Sequence, residues 1–190
     1  MCIRDSSYHE GPLLHDATHV FDLYRMFAGE PEWVIATVER FDKRFRVEDI
    51  STVLLGMDSG VRTMTLAAER TGFADFGVTL TFERGKIHAG WDYEMWTIGD
   101  PIFWGEHTGI KAVPFPEPKY KDNMYVAAVK DLVECIETGR ESESSGRDGR
   151  RSIEMIMGMY ESARQGNVRV DFPVTLQESG LEKMIGEGKL

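Results

Sequence analysis

The chain has 190 residues, 42% hydrophobic and 28% charged, with a formal charge of −10. That is ordinary globular composition for one large domain or two small ones. The acidic balance and the lack of a basic stripe argue against a nucleic-acid backbone or an anionic membrane as partner. No apolar run approaches the roughly 18 residues of a membrane span. The N-terminus has no signal-peptide core. Cys2 and Cys135 have neither CxxC nor metal spacing, so a reducing cytoplasm is the default expectation.

Residues 1–10 are polar and aperiodic, and read as an arm or the remnant of a preceding domain. Gly11-Pro12 then opens a helix that Gly29 closes. Within it His15, His19 and Asp22 fall at i, i+4 and i+7 and so share a face. Val20, Leu23, Tyr24 and Phe27 form an adjoining apolar stripe. Trp33 to Arg40 reads as a strand, 42–49 as a charged and exposed connection, and Ile50 to Met57 as a second strand. Asp58-Ser59-Gly60 turns the chain into a third, Val61 to Ala68. Residues 74–83 alternate as a fourth strand, and Lys86 to Ile98 returns as a fifth, with Ile87, Ala89, Trp91, Tyr93 and Met95 on one face. Five strands joined by short turns predict an antiparallel meander.

Gly99 to Tyr120 carries Pro101, Pro114, Pro116 and Pro118 and reads as irregular, with Trp104 and His107 available to a ligand. A 3.6-residue period follows: Val126, Val129, Leu132, Val133 and Ile136 line a helix ending near Gly139. A second helix, with Ile153, Ile156, Met157 and Tyr160 on its apolar side, ends at Gly166. Val168 to Phe172 is a short strand, and 176–190 reads as a peripheral tail. The expected organisation is therefore one α+β domain over 11–175, an open, mostly antiparallel sheet with helices on one face.

Two imidazoles and a carboxylate on one helix suit proton transfer near neutral pH, since a neutral imidazole can take a proton from a hydroxyl. A single helical His is more often packed or solvated, and it is the spacing that raises the interest of this pair. His15-Asp-Ala-Thr-His19 also compares with the HExxH helix of zinc hydrolases, but Asp16 is shorter than Glu. A third ligand would have to come from His88, His107 or scattered carboxylates. Trp91, Trp96 and Trp104 could stack on sugar rings. Trp91 is as readily a core residue, and Trp104 is the better ligand wall. Arg147 to Arg151 reads as a solvated helix start, and Gly146-Arg-Asp-Gly149 is not a phosphate loop. No GxGxxG occurs.

Three stretches together resemble the glucose–fructose oxidoreductase and inositol dehydrogenase (Gfo/Idh/MocA) family. Gly11 to Arg25 is similar to the helix that follows that family's Rossmann domain, with its Leu-Leu-Asp-x-Gly-x-His and Asp-Leu-x-Arg pattern. Ser145 to Arg151, Tyr160 to Ala163 and Val170 to Pro173 resemble its C-terminal helix and closing strand. The resemblance implies a dihydrodipicolinate reductase-like C-terminal fold. It implies that His19 is the catalytic histidine, with His15 where the family has Asp and Ala17 where it has Gly. His15, Asp16 and Asp22 would orient His19 or contact substrate, with Trp104 as a further substrate contact. The family's N-terminal half, with its Gly-rich fingerprint and Glu-Lys-Pro, has no counterpart in these residues. The expected function is thus the substrate-binding and oligomerising domain of an NAD- or NADP-dependent oxidoreductase. Its substrate would be a sugar, polyol or related hydroxyl or keto compound. This chain alone is expected to bind no cofactor and to be catalytically silent, and to form a homo-oligomer through its sheet face. The alternatives are a non-catalytic binding or dimerisation module, and a zinc hydrolase using His15 and His19.

Overall fold

The computed structural model describes residues 11–68, 75–90, 92–102, 107–117, 123–175 and 178–190. The expected arm at 1–10, Trp91 and Trp104 lie outside the described residues. The described residues fall into two compact units, one within 11–71 and 144–190 and the other within 72–143. Both sheets are antiparallel and the class is α+β, but the strands divide into two four-stranded sheets rather than one.

In the first unit α1 (Pro12–His15) and α2 (Ala17–Ala28) precede β1 (Pro31–Glu39), β2 (Ile50–Met57) and β3 (Arg62–Ala68). Gly60 turns β2 into β3 at φ +87°, which glycine adopts without strain. The sheet order is β3-β2-β1-β8, with the two-residue β8 (Val170–Asp171) pairing only Trp33 and Val34. Alternation sends Val34, Ala36, Val38, Val53 and Leu55 inward. There they meet α4 (Gly146–Arg164), whose Met155, Ile156, Met159 and Tyr160 are fully buried. Each such side chain contributes about 1.5–3 kcal/mol. Ser162 ties α4 to β1 where β8 no longer reaches. Its Oγ accepts from Ala36 N at 2.9 Å and donates to the Val168 carbonyl at 2.6 Å.

Two expectations in this unit need correction. The segment 42–49 is not wholly exposed, because Val47, Glu48 and Asp49 are buried. Asp49 accepts from the backbone of Phe41 and Asp42 at 2.8 and 2.9 Å and closes the loop on itself. Nor is 176–190 a peripheral tail. Its described part forms α5 (Gly180–Gly186), which packs on α4 through buried Leu181 and Met184.

An ion network locks the ends of α4 and α5 together. Arg164 donates to both carboxylate oxygens of Glu161 at 2.7 Å and reaches Glu187 at 2.9 Å. These bonds, against the opposing effect of burial, hold the Glu161 carboxyl down at about 2, from an ordinary 4.5. A depressed carboxylate stabilises the fold above its unfolded pKa, and the contribution is lost as pH falls through the folded one. The urea midpoint is therefore expected to fall between pH 4.5 and about 2, and Glu161→Gln to flatten part of that slope. An unchanged slope in the variant would show that the pair adds nothing.

The second unit contains β4 (Gly77–Phe82), β5 (Gly85–Gly90), β6 (Tyr93–Ile102), β7 (His107–Val113) and α3 (Met124–Thr138). The fifth predicted strand is in fact a hairpin. Ile87 pairs with Met95 and Ala89 with Tyr93, so odd-numbered residues keep one face through the turn. Residues 99–102 and 107–113, in the stretch expected to be irregular, continue β6 and form β7. Pro101 is tolerated because it sits where the register shifts by a bulge. Asn123 caps α3 by accepting from Tyr125 N, and Gly139 closes it at φ +73°. Its predicted apolar stripe is present, but Val126, Val129, Leu132, Val133 and Ile136 are all exposed.

Candidate active site

The histidine-bearing segment is anchored at its start by a buried carboxylate. Glu48, just ahead of β2, accepts from Tyr160 Oη at 2.8 Å and from Leu13 N at 3.4 Å. Gly11 passes so close that any side chain there would collide with that carboxylate. Pro12 starts α1 where its missing N–H costs nothing. The predicted single helix is interrupted at Asp16, which caps α1 and begins α2. Gly29, at φ +89°, ends α2.

The break separates the two histidines. His15 Nδ1 lies 3.3 Å from the Asp16 carboxylate, on the exposed end of α1. His19 faces an open cleft of about 380 Å³ between α2 and the start of α4. Thr18, His19 and Asp22 line it from α2; Ser144, Ser152 and Ile153 line it from α4 and its lead. Ser152 Oγ stands 3.5 Å from Asp22 Oδ1, so the walls touch at the carboxylate. The structure thus brings His19 and Asp22 together and leaves His15 with Asp16. The cleft's volume lies in the range of small-molecule sites. It offers a group that can give or take a proton, a fixed acceptor and three hydroxyls.

Sequence reasoning assigned no role to Arg25, which organises this region. Its side chain is only 11% exposed. It clasps Glu30 through Nε and Nη2 at 2.8–3.2 Å. From α2 it also reaches the carbonyl and carboxylate of Asp148, at 3.2 and 3.4 Å, and Asp22 at 3.5 Å. Those contacts pin α2 against the first turn of α4, which sets the width of the cleft. They hold the Glu30 carboxyl below its usual range, while Asp148 is lowered first by its bond from Ser145 and then by Arg25. The Ser145–Asp148 capping box fixes the α4 end of the cleft. The last-turn position of Arg25 before Gly29-Glu30 was the available signal.

In the second unit His88 bonds Thr79 at 2.9 Å across β4 and β5, and His107 begins β7. Among the described residues no group of three His, Cys, Asp or Glu is placed to hold a metal ion, so the zinc alternative finds no third ligand. Both sheets are antiparallel, and among the described residues there is no parallel strand–turn–helix crevice at a switch point. No described helix is long and apolar enough to cross a membrane.

Residues 3–88 match the family model of the GFO/IDH/MocA C-terminal domain. The D-apiose dehydrogenase of Paraburkholderia graminis is 24% identical over 159 residues, covering 78% of this chain and 41% of that protein. A levoglucosan dehydrogenase solved with NADH superposes with a TM-score of 0.69 at 18% identity, covering 87% of this chain and 51% of that one. The aldose-aldose oxidoreductase of Caulobacter crescentus, solved with glycerol, superposes with a TM-score of 0.68 at 26% identity, covering 90% and 52%. The chain thus spans about half the length of the relatives it matches.

Proposed function

We propose that this chain supplies the substrate site of an NAD(P)-dependent oxidoreductase of the GFO/IDH/MocA family, acting on a sugar, polyol or related hydroxyl or keto compound, a reading supported by the match of residues 3–88 to that family's C-terminal-domain model. The observation that supports this reading most is the cleft that sets His19 beside Asp22, Thr18 and Ser152. The His19 imidazole takes the proton of a substrate hydroxyl during oxidation and returns it during reduction. Asp22 accepts from a neighbouring substrate hydroxyl and fixes the pose. Arg25 keeps Asp22 and the α4 end in place. In this reading a separate dinucleotide-binding domain holds the nicotinamide cofactor, which would supply the hydride acceptor or donor.

The test is turnover with NAD or NADP and a panel of sugars. The purified chain is expected to show none. The same chain joined to a Gly-rich dinucleotide-binding domain is expected to show it. Turnover by the chain alone would contradict the reading.

One observation favours a second role, assembly. The face of the first sheet turned away from α4 presents Leu54, Met64 and Leu66 to solvent, the last two 79% and 68% exposed. We propose that this face pairs two copies of the chain. Loss of turnover in a His19 variant with intact oligomerisation supports the enzyme reading; no loss of any activity supports the module alone.

A further inference from the structure

Of the longer helices, α2, α3 and α4, two have a packing partner. The apolar side of α2 buries Val20, Phe21 and Tyr24, and that of α4 buries Met155, Ile156 and Met159. α3 differs. At 3.6 residues per turn, Tyr125, Val126, Val129, Leu132, Val133 and Ile136 form a stripe about 120° wide. Each is 47–76% exposed, and among the described residues no strand or helix packs closely on α3. The loop after α3 takes the opposite side instead. Arg140 donates to Asp131 at 2.6 Å and to Glu134 at 2.8 Å, and Ser142 Oγ donates to Asp131 at 2.6 Å. The charged side is thus braced within the chain, and the apolar side is left over.

A helix of 15 residues is marginal in water by itself and owes its stability to packing an amphipathic face. Six large side chains at this exposure present on the order of several hundred Å² of apolar surface, the scale that marks an interaction site. α3 also holds most of the exposed large apolar side chains described in the unit within 72–143. The chain spans about half the length of the relatives it matches, which leaves space in them for a second domain of similar size. The substrate-site reading needs such a domain held rigidly, because reacting atoms must stand about 3–3.5 Å apart. We infer that the apolar stripe of α3 is the surface on which the dinucleotide-binding domain docks. The inference rests on the substrate-site reading above and names the contact which that reading requires.

The test reads amide hydrogen exchange over α3 in the 190-residue chain and in a joined protein. The latter carries, ahead of this chain, the half of the NADH-bound levoglucosan dehydrogenase that it does not cover. In the chain alone α3 is expected to exchange within about tenfold of an unfolded segment, as a helix without a partner does. In the joined protein it is expected to exchange at least about 100-fold more slowly. Val129→Lys with Ile136→Lys charges the stripe with a good helix former and is expected to abolish that protection. The pair should leave the melting temperature of the chain alone unchanged, because both side chains are exposed. Exchange as fast in the joined protein as in the chain alone overturns the inference, whether or not turnover is seen. Protection already present in the chain alone also overturns it. At every concentration it would mean cover by the chain itself, and rising with concentration it would mean cover by a second copy. Protection in the joined protein without sugar turnover supports the docking surface and counts against the substrate-site reading instead.

Discussion

Replacing His19 with Asn, in a protein that joins this chain to a dinucleotide-binding domain, is expected to lower kcat by about 10²- to 10⁴-fold, the usual contribution of a positioned general base. Asn keeps a polar side chain of similar reach but cannot accept and return a proton. Melting temperature and assembly should not change, because His19 is exposed and lies outside the core. His15→Asn is expected to cost less than about tenfold, since a group that acts only by orienting a base contributes less than the base. The difference follows from where α1 and α2 part: His19 lines the cleft, and His15 pairs with Asp16 beyond it. Steady-state kinetics with both variants decide the matter. Equal losses, or a greater one at His15, would mean that the break at Asp16 does not separate their roles.

The second large effect is on stability. Phe21 lies on the inner face of α2 with none of its surface exposed, edge-on to Tyr24 at 6.2 Å between ring centres. Phe21→Ala leaves a cavity under the helix that carries His19 and Asp22. Truncations of buried aromatics cost about 3–5 kcal/mol, against a total stability of about 5–15 kcal/mol. At about 2–4 °C per kcal/mol, the unit built on α2 and α4 should melt roughly 6–20 °C lower. Calorimetry of the 190-residue chain reads this directly. A shift under about 3 °C would mean that α2 is not held by that core.

Much of the fold is written in local pattern. Ile50–Met57 reads as a strand between a charged connection and an Asp-Ser-Gly turn, and β2 occupies those residues. Asn123 and Gly139 bracket α3, and Ser145 opens α4, because caps are local chemistry. What stayed hidden depends on partners far along the chain. The hairpin within 85–102 keeps odd residues on one face, so periodicity alone cannot distinguish it from one long strand. Pro101 argues for a loop unless the bulge beside it is known. Glu48 sits in a run of charged residues that suggests solvent, yet Tyr160, 112 residues later, gives it a buried partner. Arg25 finds Asp148 across 123 residues. The candidate site was half legible for the same reason. The spacing within one helix placed His19 and Asp22 on one face, and both line the cleft, but α4 supplies the opposite wall, and the break at Asp16 leaves His15 outside that lining.

The central claim is that a sugar sits in the α2–α4 cleft against His19. A crystal structure of the chain soaked with a neutral aldose tests it most directly. The account predicts a sugar hydroxyl within about 3 Å of a His19 ring nitrogen and a second on the Asp22 carboxylate. A sugar bound elsewhere on the chain, with the cleft left to solvent, would contradict it.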